Sequence, residues 1–507
     1  MVNVYSIARG NRLKFLDSQK HISYCFWSLF FLHISCWVIL PAIFQLNVPL
    51  DVCEGFVWGN EWPLGTYRHP PLYAWLLQAV YYLFGTSPVG FYGLSAFASG
   101  FSLYAIYRTG ALLISPIHGL MGAALAQNIV YFNFLSTEFN PNVLQMFWTA
   151  IGSYVFALAL LRSNIIYWIL LGCIIALSFY TKYTTLIQAT VLFLFLVFNS
   201  RARNNFKKAG PYLTVLSFII LFIPHLQWLI QHNFLPQYYI KDRLGDVLTV
   251  KDSLYYSLRF LLVQILDCVF SLLGVCLLLY PFHAISPKKT EEIFKRKIVS
   301  WLAWSPIVLL ILISFISGHK IKDMYGMPFL SFIPLALLSY FEVNKNRIYK
   351  FFSFWIVMFL FQITLYVGVN YYHANEKNDN PRRVDFPGLE LSKYVHSLWH
   401  TKTQTPLKFI IGDTWIAGNI AFYSSEKHRP NVWINGDIRI SEWINLSEVK
   451  MNGAILIWLQ NDGEYAIPSY LAEKFPNAQL GDKFNLVWEK HPEKMSTFGY
   501  AYLLPTS

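Results

Sequence analysis

Asp51 and Glu54 stand three residues apart in LDVCEGFVWGNEWPLGTYRHPPLYAWL, residues 50–76, where carboxylates, a basic pair and a double proline interrupt an apolar chain. On a helix that spacing puts both carboxylates on one face, able to share a proton, a cation or a substrate hydroxyl. Val52, Phe56, Val57, Trp58 and Trp62 around them are apolar or aromatic, as suits a short helix lying in a headgroup layer. Arg68-His69-Pro70-Pro71 then offers positively polarisable groups on a backbone that the prolines restrain. The plain alternative is a solvated loop between hydrophobic segments.

The elements that must position these groups are membrane helices. The chain has 507 residues, 55% hydrophobic, 18% aromatic and 13% charged, which describes a polytopic membrane protein. Its net charge of +12 lies in short clusters between apolar segments, so the pattern points to anionic lipid or a lipid-linked phosphate and away from nucleic acid. The six cysteines, at 25, 36, 53, 173, 268 and 276, form no CxxC pair and read as small apolar residues. No cleavable signal is evident, and the first apolar segment reads as a spanning helix.

Arg9, Arg12, Lys14 and Lys20 precede that helix and place the N-terminus in the cytoplasm, which puts Asp51 outside. Residues 72–84 are too short to span and are expected as a half-inserted helix of the outer loop. Alternating from there gives about eleven spans, within a range of eleven to thirteen. Basic loops at 201–208, 288–297 and 345–350 fall inside, and residues 138–142, 231–252 and 318–323 fall outside. The reading divides the chain into a transmembrane catalytic domain, 1–374, and a small periplasmic α/β domain, 375–507. Short strand-like runs occur at 407–411, 432–434, 454–459, 484–488 and 500–504, with helical patterns at 389–399 and 467–475. Residues 412–419, GDTWIAGN, lack the spacing of a nucleotide fingerprint and read as a structural turn or a substrate-contacting loop.

Asp51 and Glu54, followed by Trp58-Gly59, Gly65-Thr66-Tyr67 and His69-Pro70-Pro71-Leu72, resemble the first periplasmic loop of bacterial membrane glycosyltransferases related to the protein O-mannosyltransferases. These belong to the GT-C superfamily, which also holds the lipid A aminoarabinose transferases. The resemblance implies a GT-C fold and an inverting transfer of a sugar from a polyprenyl-phosphate donor to an envelope lipid or glycan, such as lipid A or lipopolysaccharide core. The bacterial inner membrane is the implied location, with the active site on the periplasmic face. It also implies that Asp51 is the base, with Glu54 orienting the acceptor, tuning Asp51 or sharing a cation with it. Related enzymes carry a second acidic residue near Glu138; in TEFNPN that place could equally fall to Asn140 or Asn142, and a helix-end Glu with capping asparagines is the competing reading.

Such a transfer needs positive charge at the departing phosphate. Arg68, His69, Lys182, His319 and Lys320 are candidates, with Lys322 read rather as a headgroup contact. Lys182 stands out as a lone charge in a long apolar block. His225 in PHLQW lines the same cavity or packs as a satisfied core histidine. The sequence commits to no cofactor; a divalent cation between Asp51, Glu54 and His69 stays open, without an established ligand spacing. A protein O-mannosyltransferase is the rival enzyme. A transporter or flippase for lipid-linked glycans is the rival from another class, and it predicts ionisable residues buried mid-span in paired halves.

Overall fold

The computed structural model describes residues 18–162, 164–285, 287, 289–375, 381–460 and 464–505. The basic residues Arg9, Arg12, Lys14 and Lys288 and the linker residues Asn378-Asp379-Asn380 lie outside them.

At 1.5 Å per residue, about 20 apolar residues cross a bilayer core. Six helices among the described residues are long and apolar enough: Gln19–Phe44, Pro88–Leu113, Pro141–Leu161, Gly210–Gln231, Thr290–Ser317 and Ile348–Asn375. Two bent pairs bring the number to eight at most: Thr185–Phe198 with Ser200–Lys207, bent by 92°, and Val250–Asp267 with Val269–Leu279, bent by 61°. The reading of eleven spans also needs Pro116–Gln127, Ile166–Phe179 and Ile333–Tyr340, which are shorter. The first is followed by the 3-10 turns Val130–Phe132 and Phe134–Ser136, and the third is preceded by the 3-10 segment Asp323–Phe329. Non-helical backbone of this kind is tolerated at membrane depth only where protein or a cavity surrounds it.

The loops sort to two ends. At one end Arg201 pairs with Glu291 at 2.5 Å, Arg296 donates to Ile285 O, and Asn344 N donates to Leu278 O. At the other, Leu72 N donates to Tyr180 O, Leu248 N to Gly318 O, and Tyr131 Oη to Asp323 O. Every candidate site residue lies at this second end, as does the C-terminal sheet.

That sheet is mixed. Strands β1 (Phe409–Gly412), β2 (Asn431–Ile434) and β3 (Ala454–Leu459) are parallel, in the order β2-β1-β3. Strand β6 (His491–Leu503) runs antiparallel to β3 and also pairs with β4 (Gln479–Leu480) and β5 (Phe484–Trp488). The GDTWIAGN stretch is a strand-to-helix turn: Asp413 Oδ1 accepts from Trp415 N at 2.8 Å and Ile416 N at 3.0 Å, capping the helix Thr414–Phe422.

That helix is what the sheet presents to the first loop. Gly418 leaves no room for a side chain, since a Cβ there would lie 2.7 Å from Cys53 Sγ. Phe422 packs edge-on against Phe56, ring centroids 4.8 Å apart, and touches Tyr81 and Phe91. Leu46 N and Asn47 N both donate to Val384 O, while Asn47 also bonds Asn419 and Tyr423. A single apolar core therefore runs from the membrane helices through the first loop into the sheet.

Candidate active site

The first-loop carboxylates ride on the short helix Leu50–Gly59. Its N-cap is Pro49, whose side chain cannot accept from the first-turn amides, so the helix needs an outside acceptor. Glu138 supplies it: Asp51 N donates to Glu138 Oε1 at 2.9 Å. An acid there also faces the positive end of the helix dipole.

Asp51 is thereby trapped in a poorly hydrated place beside a second acid. Its pKa is pushed up to about 7, by burial first and then by the charges of Glu138 and Glu54, against the pull of Lys182 and Arg68. Burial raises Glu138 as well, opposed by the hydrogen bond from Asp51 N. Glu54 is raised by burial, with the Arg68 guanidinium opposing; Arg68 Nη1 donates to both its oxygens, at 2.9 and 3.1 Å. Arg68 lies against the rings of Trp58, Tyr67 and Tyr239, at 5.5, 5.1 and 5.5 Å from their centroids.

Lys182 lies in the turn between the helices Ile166–Phe179 and Thr185–Phe198. Its ammonium donates to Asn142 Oδ1 and sits 4.9 Å from the centre of the Tyr325 ring. Burial brings it down to about 8, although Asp51 favours its charged form; Lys322 and Arg243 oppose that form.

The remaining candidates divide by what they touch. His69 is packed among Trp58, Tyr73 and Tyr239, and burial lowers it to about 3, so it stands as a neutral imidazole rather than a cation. His225 has both ring nitrogens engaged. Nδ1–H donates to Leu64 O at 2.7 Å, and Nε2 accepts from Tyr183 Oη at 3.1 Å, tying a spanning helix to the first loop. Asn140 caps the helix Pro141–Leu161 by accepting from Asn142 N and Val143 N. The three residues that competed for one place thus hold different posts: Glu138 against Asp51, Asn140 as the cap, Asn142 against Lys182. Lys320 lies over the Tyr256 ring at 4.5 Å, and His319 bonds through its carbonyl to Ser314. Among the described residues, no three His, Cys, Asp or Glu side chains converge as a metal-binding set.

Sequence reasoning did not single out Arg243, Tyr239 and Tyr325, which the 231–250 and 318–327 segments bring to the site, or Arg383, whose charge reaches both Glu54 and Glu138. A cleft of about 930 Å³ opens beside Arg68, lined by Tyr67, Tyr239, Arg243 and, from the sheet side, Arg439.

Residues 68–228 match the family described as dolichyl-phosphate-mannose-protein mannosyltransferase. That segment includes Arg68, His69, Glu138, Lys182 and His225, and begins after Asp51 and Glu54. Among solved structures, ArnT from Cupriavidus metallidurans bound to undecaprenyl phosphate superposes with a TM-score of 0.62 at 10% identity, over 93% of this chain and 97% of that one. The chain therefore has the fold of that transferase structure. The apo state of the same ArnT agrees, with a TM-score of 0.59 at 8% identity over 94% and 97% of the two chains. No curated protein matches the sequence.

The Arg68–Glu54 pair belongs to the framework of the candidate site, and its loss is measurable. Arg68→Met strands a mostly buried carboxylate and is expected to lower stability by about 2 kcal/mol, read as an earlier thermal transition in detergent. Arg68→Lys keeps the charge but not the planar stacking and should fall between.

Proposed function

We propose that this protein transfers a sugar from a polyprenyl-phosphate donor to a hydroxyl of an envelope lipid or glycan, such as lipid A or lipopolysaccharide core, on the periplasmic face of a bacterial inner membrane. Asp51 carries the reading: a half-buried carboxylate tuned to about 7, set between a second acid and a half-buried lysine. A base works best with a pKa near the ambient pH. Asp51 takes the acceptor proton as the hydroxyl oxygen attacks the anomeric carbon from the face opposite the phosphate. The anomeric C–O bond breaks, its electron pair leaves with the lipid phosphate, and Lys182, Arg243 and Lys322 stabilise the released charge.

The family match to protein mannosyltransferases favours a second reading, with a protein side-chain hydroxyl as acceptor. Mass spectrometry of envelope lipids, glycans and proteins separates the two, comparing cells with the protein, without it, and with Asp51→Asn. One sugar mass increment should vanish in both deficient strains, and the fraction it vanishes from names the acceptor. An Asp51→Asn strain that looks normal, beside a null strain that accumulates lipid-linked glycan, would establish a transporter instead.

The orientation has its own test. A reporter fused after Asn375 is expected to be active only on the periplasmic side; cytoplasmic activity would invert the site and remove the lipid-linked donor argument.

A further inference from the structure

We propose that Arg429, from the sheet region, is a positioning residue that sets where the Asp51-bearing helix sits. The inference rests on the reading of Asp51 as the base and adds the residue that holds it in place. Arg429 lies in the turn before β2 and reaches past the sheet to the far end of the helix Leu50–Gly59. Its Nη2 donates to Asn60 Oδ1 at 2.7 Å and to Gln78 Oε1 at 2.6 Å. Asn60 is the C-cap of that helix. Gln78, fully buried, turns its amide the other way and donates to Phe56 O at 2.6 Å, meeting a carbonyl of the last helical turns.

The guanidinium is stacked as well as bonded. It lies 4.1 Å from the centre of the Phe56 ring and 4.4 Å from that of Tyr81, with Tyr82 at 5.9 Å. Its Nη1 is buried without a hydrogen-bond partner, while burial disfavours its charge and Tyr81, Tyr82 and the Glu61 carboxylate favour it. Leaving a cation so incompletely satisfied is costly, and removing it to the surface would be simple for an arginine in a turn. What the arrangement secures is a fixed helix. Glu138 meets the N-terminal amide end and Arg429 the carbonyl end, the signs that suit each end of the dipole. Neighbouring contacts hold the same junction: Asn60 donates to Asn431, and Asn431 to Glu61. Cys53, two residues on from Asp51 and fully buried, lies under the carbonyls of Thr414 and Trp415.

If Arg429 lets go, the helix can rotate away from Glu138, and Asp51 gains water while losing its acidic neighbour. Three readouts follow that. Carbodiimide labelling of Asp51, quantified by peptide mass spectrometry across pH, needs no turnover and reports its protonation in the surroundings of Glu54, Glu138, Arg68 and Lys182. In the full-length parent the midpoint should lie near 7, and in Arg429→Ala it should fall toward the ordinary carboxylate range. Maleimide labelling of Cys53 should speed up in the same variant. Transfer assays should show kcat down by about ten- to a hundredfold with the donor KM little changed, because a small misplacement of the base harms chemistry more than binding. Arg429→Lys should recover part of each effect, and Asn60→Ala should give the same pattern at smaller size if Arg429→Ala fails to fold. A parent-like labelling midpoint and kcat in folded Arg429→Ala, or in Asn60→Ala where Arg429→Ala does not fold, would overturn the proposal. Should Asp51→Asn retain full transfer, the base assignment falls, while the two labelling experiments still decide whether Arg429 positions the helix.

Discussion

Asp51→Asn is expected to lower transfer by about a hundred- to ten-thousandfold and to leave the protein at least as stable as its parent. The first half follows from removing the group proposed to take the acceptor proton. The second follows from proton linkage. The folded protein holds the Asp51 proton up to about 7, whereas the unfolded chain releases it near the ordinary carboxylate value of 3.8. Between those values the native state binds more protons than the unfolded state, so stability declines as pH rises and the full cost remains above 7. Asparagine fills the same space without that cost. A thermal transition at pH 8 that is unchanged or later, beside absent transfer, fits this account. An earlier transition would mean that the variant had lost activity by unfolding.

Lys182→Gln should cost about a hundred- to a thousandfold, and its pH profile carries more information than its rate. The parent needs Asp51 ionised and Lys182 protonated. Its kcat/KM should therefore rise through about 7 and fall beyond about 8, giving a narrow bell whose limbs belong to the interacting pair. Without the lysine the alkaline fall should disappear from the residual activity. Lys182→Arg, which stays charged, should retain part of the rate and hold it to higher pH. A parent profile that is flat between pH 6 and 9 would remove both groups from the proton inventory of the reaction.

The first-loop pair drew attention as carboxylates interrupting an apolar stretch within a resembling motif, and Lys182 because a lone charge in an apolar block is costly unless used. Their relation to each other was not legible. The spacing of Asp51 and Glu54 placed them on one face, yet their partners, Glu138 and Arg68, are chosen by how the loop folds back. Arg243 and Arg429 looked like ordinary loop charges, since nothing local distinguishes an arginine that meets a catalytic helix from one that meets water. The short crossing elements were partly hidden for a related reason. Hydropathy recognises a long apolar helix, but Ile333–Tyr340 continues a path begun in the 3-10 segment Asp323–Phe329, and only surrounding protein makes such backbone acceptable. In the sheet, Asp413 reads as a turn residue, and its capping of Thr414–Phe422 emerges once β1 is seen to end at Gly412.

The bonds from Asn47 to Asn419, from Asn60 to Arg429 and from Leu46 to Val384 join residues more than 300 positions apart. They set an order of events during synthesis. The helix bearing Asp51 is among the first pieces of the chain to leave the ribosome and meets Arg68 and Glu138 soon after, yet the partners that hold its far end and flank come more than 300 residues later, so for most of translation it waits without them. A chain that stops short of Arg429 carries every membrane helix among the described residues but leaves the far end of this one unheld.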